Sequence, residues 1–444
     1  MDVLDSFFAS VREQIDVDAI RLQWEALTPA YNVEQWKLPL PIWALRPLEH
    51  DGARAWQEIQ WLSHHASTEK NLCIYMHIPF CTSKCGFCDS YSFKLGKPPH
   101  AKQYVELLCY ELQEWSNQAS LACRPVSTVH LGGGTPTFLS EELLTKLVAC
   151  CRSCFSTTEQ TEWALESTVE SLTPSMSSCL HELGFRRLHI GVQTLQPEVR
   201  AIIGRRRSPS EVLATIEKHL SLGWIVSVDL ICGLPGQTLD GWLNDIKMLI
   251  SVGTDGFSLY ELLIYPQNRR WASKYGLLER THLPNYFLFQ AGAWLLESYG
   301  YKKNLFNHWA NQRDANIYFT YPRRGEDLIA IGTIANGTLS DYHYRHHRYG
   351  DYIQEICKPS HGLMGGIYES AKEKRARPII TSILAGYIPH NIAQNIQAMH
   401  GDLSLLDKWL IHCIIQPVHD SGFYLTTNGS WFAGNLIQEV TQVS

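Results

Sequence analysis

From Leu72 onward, short apolar runs alternate with helix-length amphipathic segments, and this alternation most constrains the fold. A strand buried on both faces reads as a nearly continuous apolar run. A parallel neighbour then requires a crossover of a dozen or more residues, usually a helix. The runs fall at Leu72–His77, Ser127–Leu131, Glu162–Glu166, Arg187–Ile190, Ile225–Leu230 and Gly256–Glu261, and the pattern predicts helices near 101–117, 140–155, 174–183, 208–222 and 238–251. Six parallel strands with right-handed crossovers close partway round a barrel. Polar and Gly-rich residues follow the runs, where such folds keep their chemistry. The expectation is an α/β chain: a partial (β/α)6 TIM-like barrel with an N-terminal extension and a C-terminal α+β, winged-helix-like lobe.

Length and composition support this organisation. A chain of 444 residues has room for more than one unit, and its 45% hydrophobic and 18% charged residues exclude a disordered chain. Residues 1–70 hold five of the 14 Trp (Trp24, Trp36, Trp43, Trp56 and Trp61) and the Pro-punctuated stretch Leu38-Pro-Leu-Pro-Ile-Trp43. They read as an extension packed on a body. The barrel is expected over 71–265, a substrate-covering α+β region over 266–370, and a small winged-helix-like unit over 371–444, with Asn428-Gly429 as a hairpin turn. A net charge of -6 gives no electrostatic reason to expect nucleic acid or an anionic membrane as partner. No apolar run reaches the ~18 residues of a membrane span. The first residues, Met1-Asp-Val-Leu-Asp, carry acids where a secretory leader is basic, so the expected location is the cytoplasm. Thirteen irregularly spaced Cys fit reduced thiols, with metal ligation the first special use to test.

The sharpest local feature is Cys81-Thr-Ser-Lys-Cys85-Gly-Phe-Cys88, directly after the first strand. Thiolates ligate iron–sulfur clusters, and three of them leave one iron of a [4Fe–4S] cube open for a reactant. The alternatives are a zinc site completed by His77 or His100, or three incidental thiols. His130-Leu-Gly132-Gly-Gly134-Thr135-Pro-Thr137 follows the second strand, and its free N–H and C=O groups can bind an amino acid's polar end, unless it is only a tight connection. Glu166 ends the third strand, where a carboxylate can accept from ribose hydroxyls or simply face solvent. Arg205-Arg206-Arg207 is an anion contact or a basic turn before a helix capped by Ser208 or Ser210, and Thr238 is a further cap.

Together, Tyr75-Met-His-Ile-Pro-Phe-Cys81, Gly132-Gly-Gly-Thr-Pro-Thr137, Gly191-Val-Gln193 and Asp229-Leu-Ile-Cys-Gly-Leu-Pro-Gly-Gln237 resemble the radical SAM superfamily. Within it the chain looks most like the oxygen-independent coproporphyrinogen III oxidase family, over about residues 70–345. The resemblance implies that Cys81, Cys85 and Cys88 hold a [4Fe–4S] cluster whose open iron chelates S-adenosylmethionine (SAM), cleaved reductively to a 5′-deoxyadenosyl radical. It places Tyr75, Phe87, Gly132, Gly133, Gly134, Thr135, Glu166, Gln193, Arg205 and Asp229 around SAM. In that assignment the Gly segment lies at the amino group and Glu166 at the ribose, with Arg205 near the carboxylate and paired with Asp229. Gly332 and Ile334 match a segment that, in some members, lies near a second SAM, so one or two SAM molecules are implied.

The substrate half is less legible. Tyr260, Glu261, His308 and His343 are candidates for the mouth of the barrel as proton donors or radical quenchers, with structural roles open for each. The stretch Asp341-Tyr-His343-Tyr-Arg-His346-His347-Arg348 reads as a loop or edge strand offering haem ligands or a polar substrate wall. Ser90 stands where coproporphyrinogen oxidase has a further Cys. That departure sets the chain apart from the decarboxylase itself, and the long N-terminal extension and the Leu425–Phe432 segment look more like the class C methyltransferases and anaerobic haem-degrading methyltransferases. The first expectation is therefore C1 transfer, as methylation or cyclopropanation, to an unsaturated or heteroaromatic small molecule. The alternatives are tetrapyrrole chemistry (coproporphyrinogen III decarboxylation or haem ring opening) and a haem chaperone. An electron donor such as flavodoxin or ferredoxin is implied, with no nucleic acid or membrane partner.

Overall fold

The computed structural model describes residues 3–27, 30–65, 69–94, 98–398, 405–418 and 421–443. Six parallel strands pair in chain order: β1 (Leu72–Ile78), β2 (Val126–Gly133), β3 (Glu162–Ser167), β4 (Arg187–Gln193), β5 (Ile225–Cys232) and β6 (Gly256–Glu261). The crossover helices Glu141–Cys154, Pro174–Glu182, Pro209–Ser221 and Leu239–Ser251 start where the sequence supplies caps: Ser140, Thr173, Ser208 and Thr238 each accept a first-turn backbone N–H. Glu211 closes a capping box with Ser208. Each crossover returns the chain to the same end of the sheet, so all six strand C-termini and their connections lie on one rim.

The sheet continues past both sides of this partial barrel, to 13 strands among the described residues. On the β6 side it adds the antiparallel hairpin β7 (Lys302–Leu305) and β8 (His308–Ala310). On the β1 side it adds a seventh parallel strand, β9 (Asp327–Ile331), followed by antiparallel β10 (Asn336–Leu339), β11 (Tyr342–His346) and β12 (Leu363–Tyr368). The Tyr/His stretch is thus an interior strand, not a loop or an edge. Tyr342, His343, Tyr344 and His346 of β11 are all buried, and a His-rich strand is tolerated there because each buried imidazole finds a carboxylate. His343 Nε2 lies 2.9 Å from Glu369 Oε1, and His346 Nε2 lies 2.7 Å from Glu111 Oε1.

The N-terminal segment packs on this body through its tryptophans. Trp56 meets Trp115 edge to face, Trp43 stacks on His343, and Trp36 donates from Nε1 to the Trp431 carbonyl at 2.8 Å. At the C-terminus, Tyr387–Pro389, Ile415–Val418 and Gly422–Leu425 form a three-stranded antiparallel sheet. Asn428-Gly429 is not its hairpin turn: those residues sit in the helix Thr427–Trp431, started by the Thr426 cap. Asn428 is fully buried, and its side chain accepts from Tyr286 Oη and donates to the Gln23 carbonyl. Among the described residues no helix is long and apolar enough to cross a membrane.

Candidate functional site

The rim at the strand C-termini encloses a cavity of about 970 Å3. Cys81, Cys85 and Cys88 line one wall, each partly buried. The loop carrying them is held by its own backbone: Lys84 Nζ donates to the Ser90 and Ser92 carbonyls, and Asn268 Nδ2 donates to the Phe87 carbonyl at 3.0 Å. Gly86 is required by close packing, because a Cβ there would sit inside the Trp271 indole. Among the described residues no three Cys, His, Asp or Glu side chains converge at the spacing of a single metal ion. Three thiols that share a wall without converging suit a cluster, in which each thiolate holds its own iron. His77, a candidate fourth zinc ligand, is engaged elsewhere, between Tyr75 Oη at 3.0 Å and the Tyr91 carbonyl at 3.2 Å. His100 does not line the cavity.

The Gly-rich segment faces the thiols. Gly133 adopts φ +108°, and a Cβ there would lie 2.5 Å from His77 Cε1, so only glycine fits this approach. Its N–H groups are not free, contrary to the expectation for this turn. Gly133 N donates to Glu166 Oε2, Gly134 N to the Ile78 carbonyl and Thr135 N to the Phe80 carbonyl. What the turn can offer a ligand is carbonyl oxygen, which accepts from an ammonium group.

Glu166 lines the cavity and takes the Gly133 N–H at 3.0 Å and His130 Nε2 at 3.3 Å. Burial pushes its carboxyl upward, but the His130 and Gly133 hydrogen bonds outweigh burial and hold it below its usual range. Gln193 sits in a strand irregularity at φ +68°, and its Oε1 is buried without a hydrogen-bond partner. An unpaired buried acceptor on a left-handed backbone at the cavity wall could accept from a bound ligand. Arg205, whose Nε is also buried and unpaired, lies over the Phe87 ring at 6.0 Å. Its charge partner is Glu170 at 3.4 Å and not Asp229 as expected. Burial raises the Glu170 carboxyl, and the Arg205 guanidinium and the Arg206 N–H more than offset this. The titratable group beside Asp229 is instead His189, with Nδ1 4.0 Å from Oδ1.

Tyr260 and Glu261 reach the cavity from the end of β6. Glu261 Oε1 accepts from His282 Nδ1 at 2.6 Å and from Asn285 Nδ2 at 2.8 Å. His308 and His343 do not reach it. His308 is buried between Ser258 Oγ at 2.8 Å and Asp314 Oδ2 at 2.9 Å, and His343 is buried under Trp43 beside Glu369. Gly332 and Ile334 also lie off the cavity: the Gly332 N–H donates to the buried Glu111, and Ile334 holds φ +55° with its N–H on the His347 carbonyl. Tyr75 packs behind the Gly turn, stacked on Tyr318 at 5.3 Å. Cavity residues that sequence reasoning did not assign include His189, Leu38 and Phe319, and also Glu170, which the family position set aside in favour of Glu166 and which the Arg205 pairing brings to the cavity.

Comparison with known proteins agrees with this geometry. The sequence profile of the radical SAM superfamily matches residues 75–249, which span the cysteine loop and strands β1 to β5. The chain carries a radical SAM domain over residues 75–249. Its relatives include oxygen-independent coproporphyrinogen III oxidase and proteins similar to it. It is 27% identical over 302 residues to anaerobilin synthase of Escherichia coli O157:H7 (67% of this chain, 66% of that protein). It is 33% identical over 215 residues to heme chaperone HemW of Bacillus subtilis (47% and 55%). It is 26% identical over 339 residues to oxygen-independent coproporphyrinogen III oxidase of E. coli K12 (72% and 73%). The crystal structure of E. coli coproporphyrinogen III oxidase superposes with a TM-score of 0.76 at 22% identity, covering 92% of this chain and 99% of that one, which shows a shared fold. Radical SAM proteins use a [4Fe–4S] cluster and SAM, and the residues of this cavity fit both: three soft thiol donors on one wall, with an unpaired amide oxygen and an unpaired guanidinium N–H facing them.

Proposed function

We propose that this radical SAM protein is an enzyme that acts on a tetrapyrrole. The observation that carries the reading is the cavity: about 970 Å3, at the upper end of small-molecule sites, with the three thiols on one wall and Tyr260 and Phe319 exposed on its surface. That space accommodates a nucleoside cosubstrate together with a large planar partner. The three relatives described above are named for heme, for coproporphyrinogen and for a bilin, which supports the same substrate class.

Cys81, Cys85 and Cys88 would hold the cluster, which would supply the reducing electron for SAM cleavage. The chain's own residues would bind and orient: Arg205 would offer its Nε–H to the SAM carboxylate, and the carbonyls of the Gly132–Gly134 turn would accept from its ammonium group. Glu166 and Gln193 supply acceptors, and Leu38 and Phe319 shield the cavity from water. Glu261, oriented by His282 and Asn285, is the carboxylate placed to take or hold a proton at the substrate. Ser90 on the cavity wall, where the decarboxylase has a Cys, favours a reaction on the macrocycle over propionate decarboxylation. C1 transfer rested on the terminal extensions, and no group in the cavity favours it.

The test is anaerobic. The reconstituted protein is mixed with dithionite and SAM, with and without haem or coproporphyrinogen III, and the products are resolved by mass spectrometry. 5′-Deoxyadenosine that rises with one tetrapyrrole, alongside a change in its mass, is the expected result. Tight haem binding with no 5′-deoxyadenosine overturns the enzyme reading in favour of a chaperone. S-adenosylhomocysteine among the products restores C1 transfer.

A further inference from the structure

The inward face of β4 presents Arg187, His189 and Gly191 in turn. Arg187 is buried, with Nη1 2.5 Å from Asp314 Oδ1 and Nη2 2.9 Å from His189 Nε2. Ser227 Oγ completes the cluster, accepting from Arg187 Nη2 at 3.2 Å and donating to Asp314 Oδ2 at 2.6 Å. A guanidinium has donors and no acceptor. His189 Nε2 therefore accepts from Arg187 and carries no proton, and the ring's proton is fixed on Nδ1. Such an imidazole has no free lone pair for an iron and cannot add a second proton without setting Nε2–H against the guanidinium. His189 is neither a haem ligand nor an acid. It is a donor, and it lines the cavity.

Its Nδ1 lies 4.0 Å from Asp229 Oδ1, too far for a direct hydrogen bond. One oxygen atom spans that gap: hydrogen bonds of about 2.9 Å to nitrogen and about 2.7 Å to oxygen meet there at about a right angle. The bridging group must accept from His189 and donate to Asp229, as a hydroxyl does. A tetrapyrrole's carboxylates only accept and its pyrrole N–H groups only donate, whereas a ribose hydroxyl does both. We propose that His189 is a tautomer-locked donor which, with the Asp229 carboxylate, reads a ribose hydroxyl of the bound nucleoside cosubstrate. This rests on the reading of the cavity as the SAM site. The groups facing the ring agree with a neutral state. Burial lowers the imidazole's pKa, and Arg187 and His308 act in the same direction against Asp229. His130 on β2 and Glu166 on β3 are engaged with each other.

Calorimetry on the full-length, anaerobically reconstituted protein tests this, with SAM and its 2′-deoxy and 3′-deoxy analogues as probes. In the wild type one deoxy analogue binds about tenfold more weakly than SAM, the scale of one hydrogen bond to a charged or locked group. In H189F that preference disappears. In H189N, whose amide nitrogen takes the Nδ1 position, it returns. Nitrogen-15 NMR of the histidines shows the His189 ring protonated at Nδ1 and not titrating between about pH 6 and about pH 8. Equal binding of SAM and both analogues by the wild type, full discrimination by H189F, or a titrating His189 ring overturns the proposal. A loss confined to a parallel haem titration also overturns it. Failure of the wild type to bind SAM at all sinks the cofactor reading instead, and the NMR result still tests the lock.

Discussion

Replacing Gly133 by Ala tests how the Gly-rich turn and the cysteine loop depend on each other. The new Cβ would lie 2.5–2.8 Å from three atoms of the His77 ring, well inside contact distance. That ring cannot swing away freely, because Nδ1 is engaged by Tyr75 Oη at 3.0 Å and Nε2 by the Tyr91 carbonyl at 3.2 Å. Giving up those two hydrogen bonds costs about 1–3 kcal/mol together. Holding a residue with a Cβ at φ +108° costs a further ~1–3 kcal/mol. G133A is therefore expected to lose about 2–6 kcal/mol, read as a shift in the denaturant midpoint at unchanged slope. Because Tyr91 closes the loop that begins at Cys81, the displaced ring also pushes on the thiols, so iron and sulfide content after reconstitution falls with stability. A variant that unfolds within ~0.5 kcal/mol of wild type, with full iron loading, would refute the reasoning.

Three further outcomes follow from the site. Replacing Cys81, Cys85 and Cys88 together by Ala abolishes the brown visible absorbance of the reconstituted protein, and surviving colour would move the ligand assignment elsewhere. Glu166→Gln places an amide N–H against the Gly133 or His130 donor and weakens SAM binding about 10- to 100-fold, the ~1.5–3 kcal/mol of a charged hydrogen bond, measured by calorimetry. Since Glu166 is held below its ordinary 4.5, its contribution is full above that pH and fades as pH falls through the depressed value, so SAM affinity declines only on the acid side. His282 runs the other way. Its hydrogen bond to Glu261 raises it above its ordinary 6.5, so the support it lends is present below that pH and lost as pH rises through the raised value. Protection of the amides around Asn285, taken relative to their intrinsic exchange rates, is expected to fall on the alkaline side in wild type and to be independent of pH in His282→Gln.

The barrel and the cluster loop were legible in the chain because both are written locally. Apolar runs of five or six residues, a cap residue before each helix and three cysteines within eight positions need no distant partner to be recognised. The same locality explains what was missed at the sheet's far side. Asp327–Ile331 lies beyond the region where apolar runs alternate with amphipathic segments, and it becomes a parallel strand only because β1 offers it an edge. Asn428-Gly429 carries the sequence signature of a tight turn, yet the Thr426 cap and burial against Tyr286 make it helical. Histidines divide in the same way. His343, His346 and His308 look alike in sequence to His189, and only the carboxylates brought to the first three by a helix (Glu111) and by loops (Glu369 and Asp314) make them structural.

What the sequence determined by itself was the type of chemistry: soft ligands at cluster spacing, a glycine turn, and a polar residue at each strand end. The tertiary structure decided which charge meets which. Arg205 pairs with Glu170 instead of Asp229 because the 205–207 turn folds over the end of β3, and that leaves Asp229 beside His189 of the neighbouring strand β4. Such pairings are set by side chains converging from strands some 40 residues apart, where spacing along the chain carries no information about distance in space.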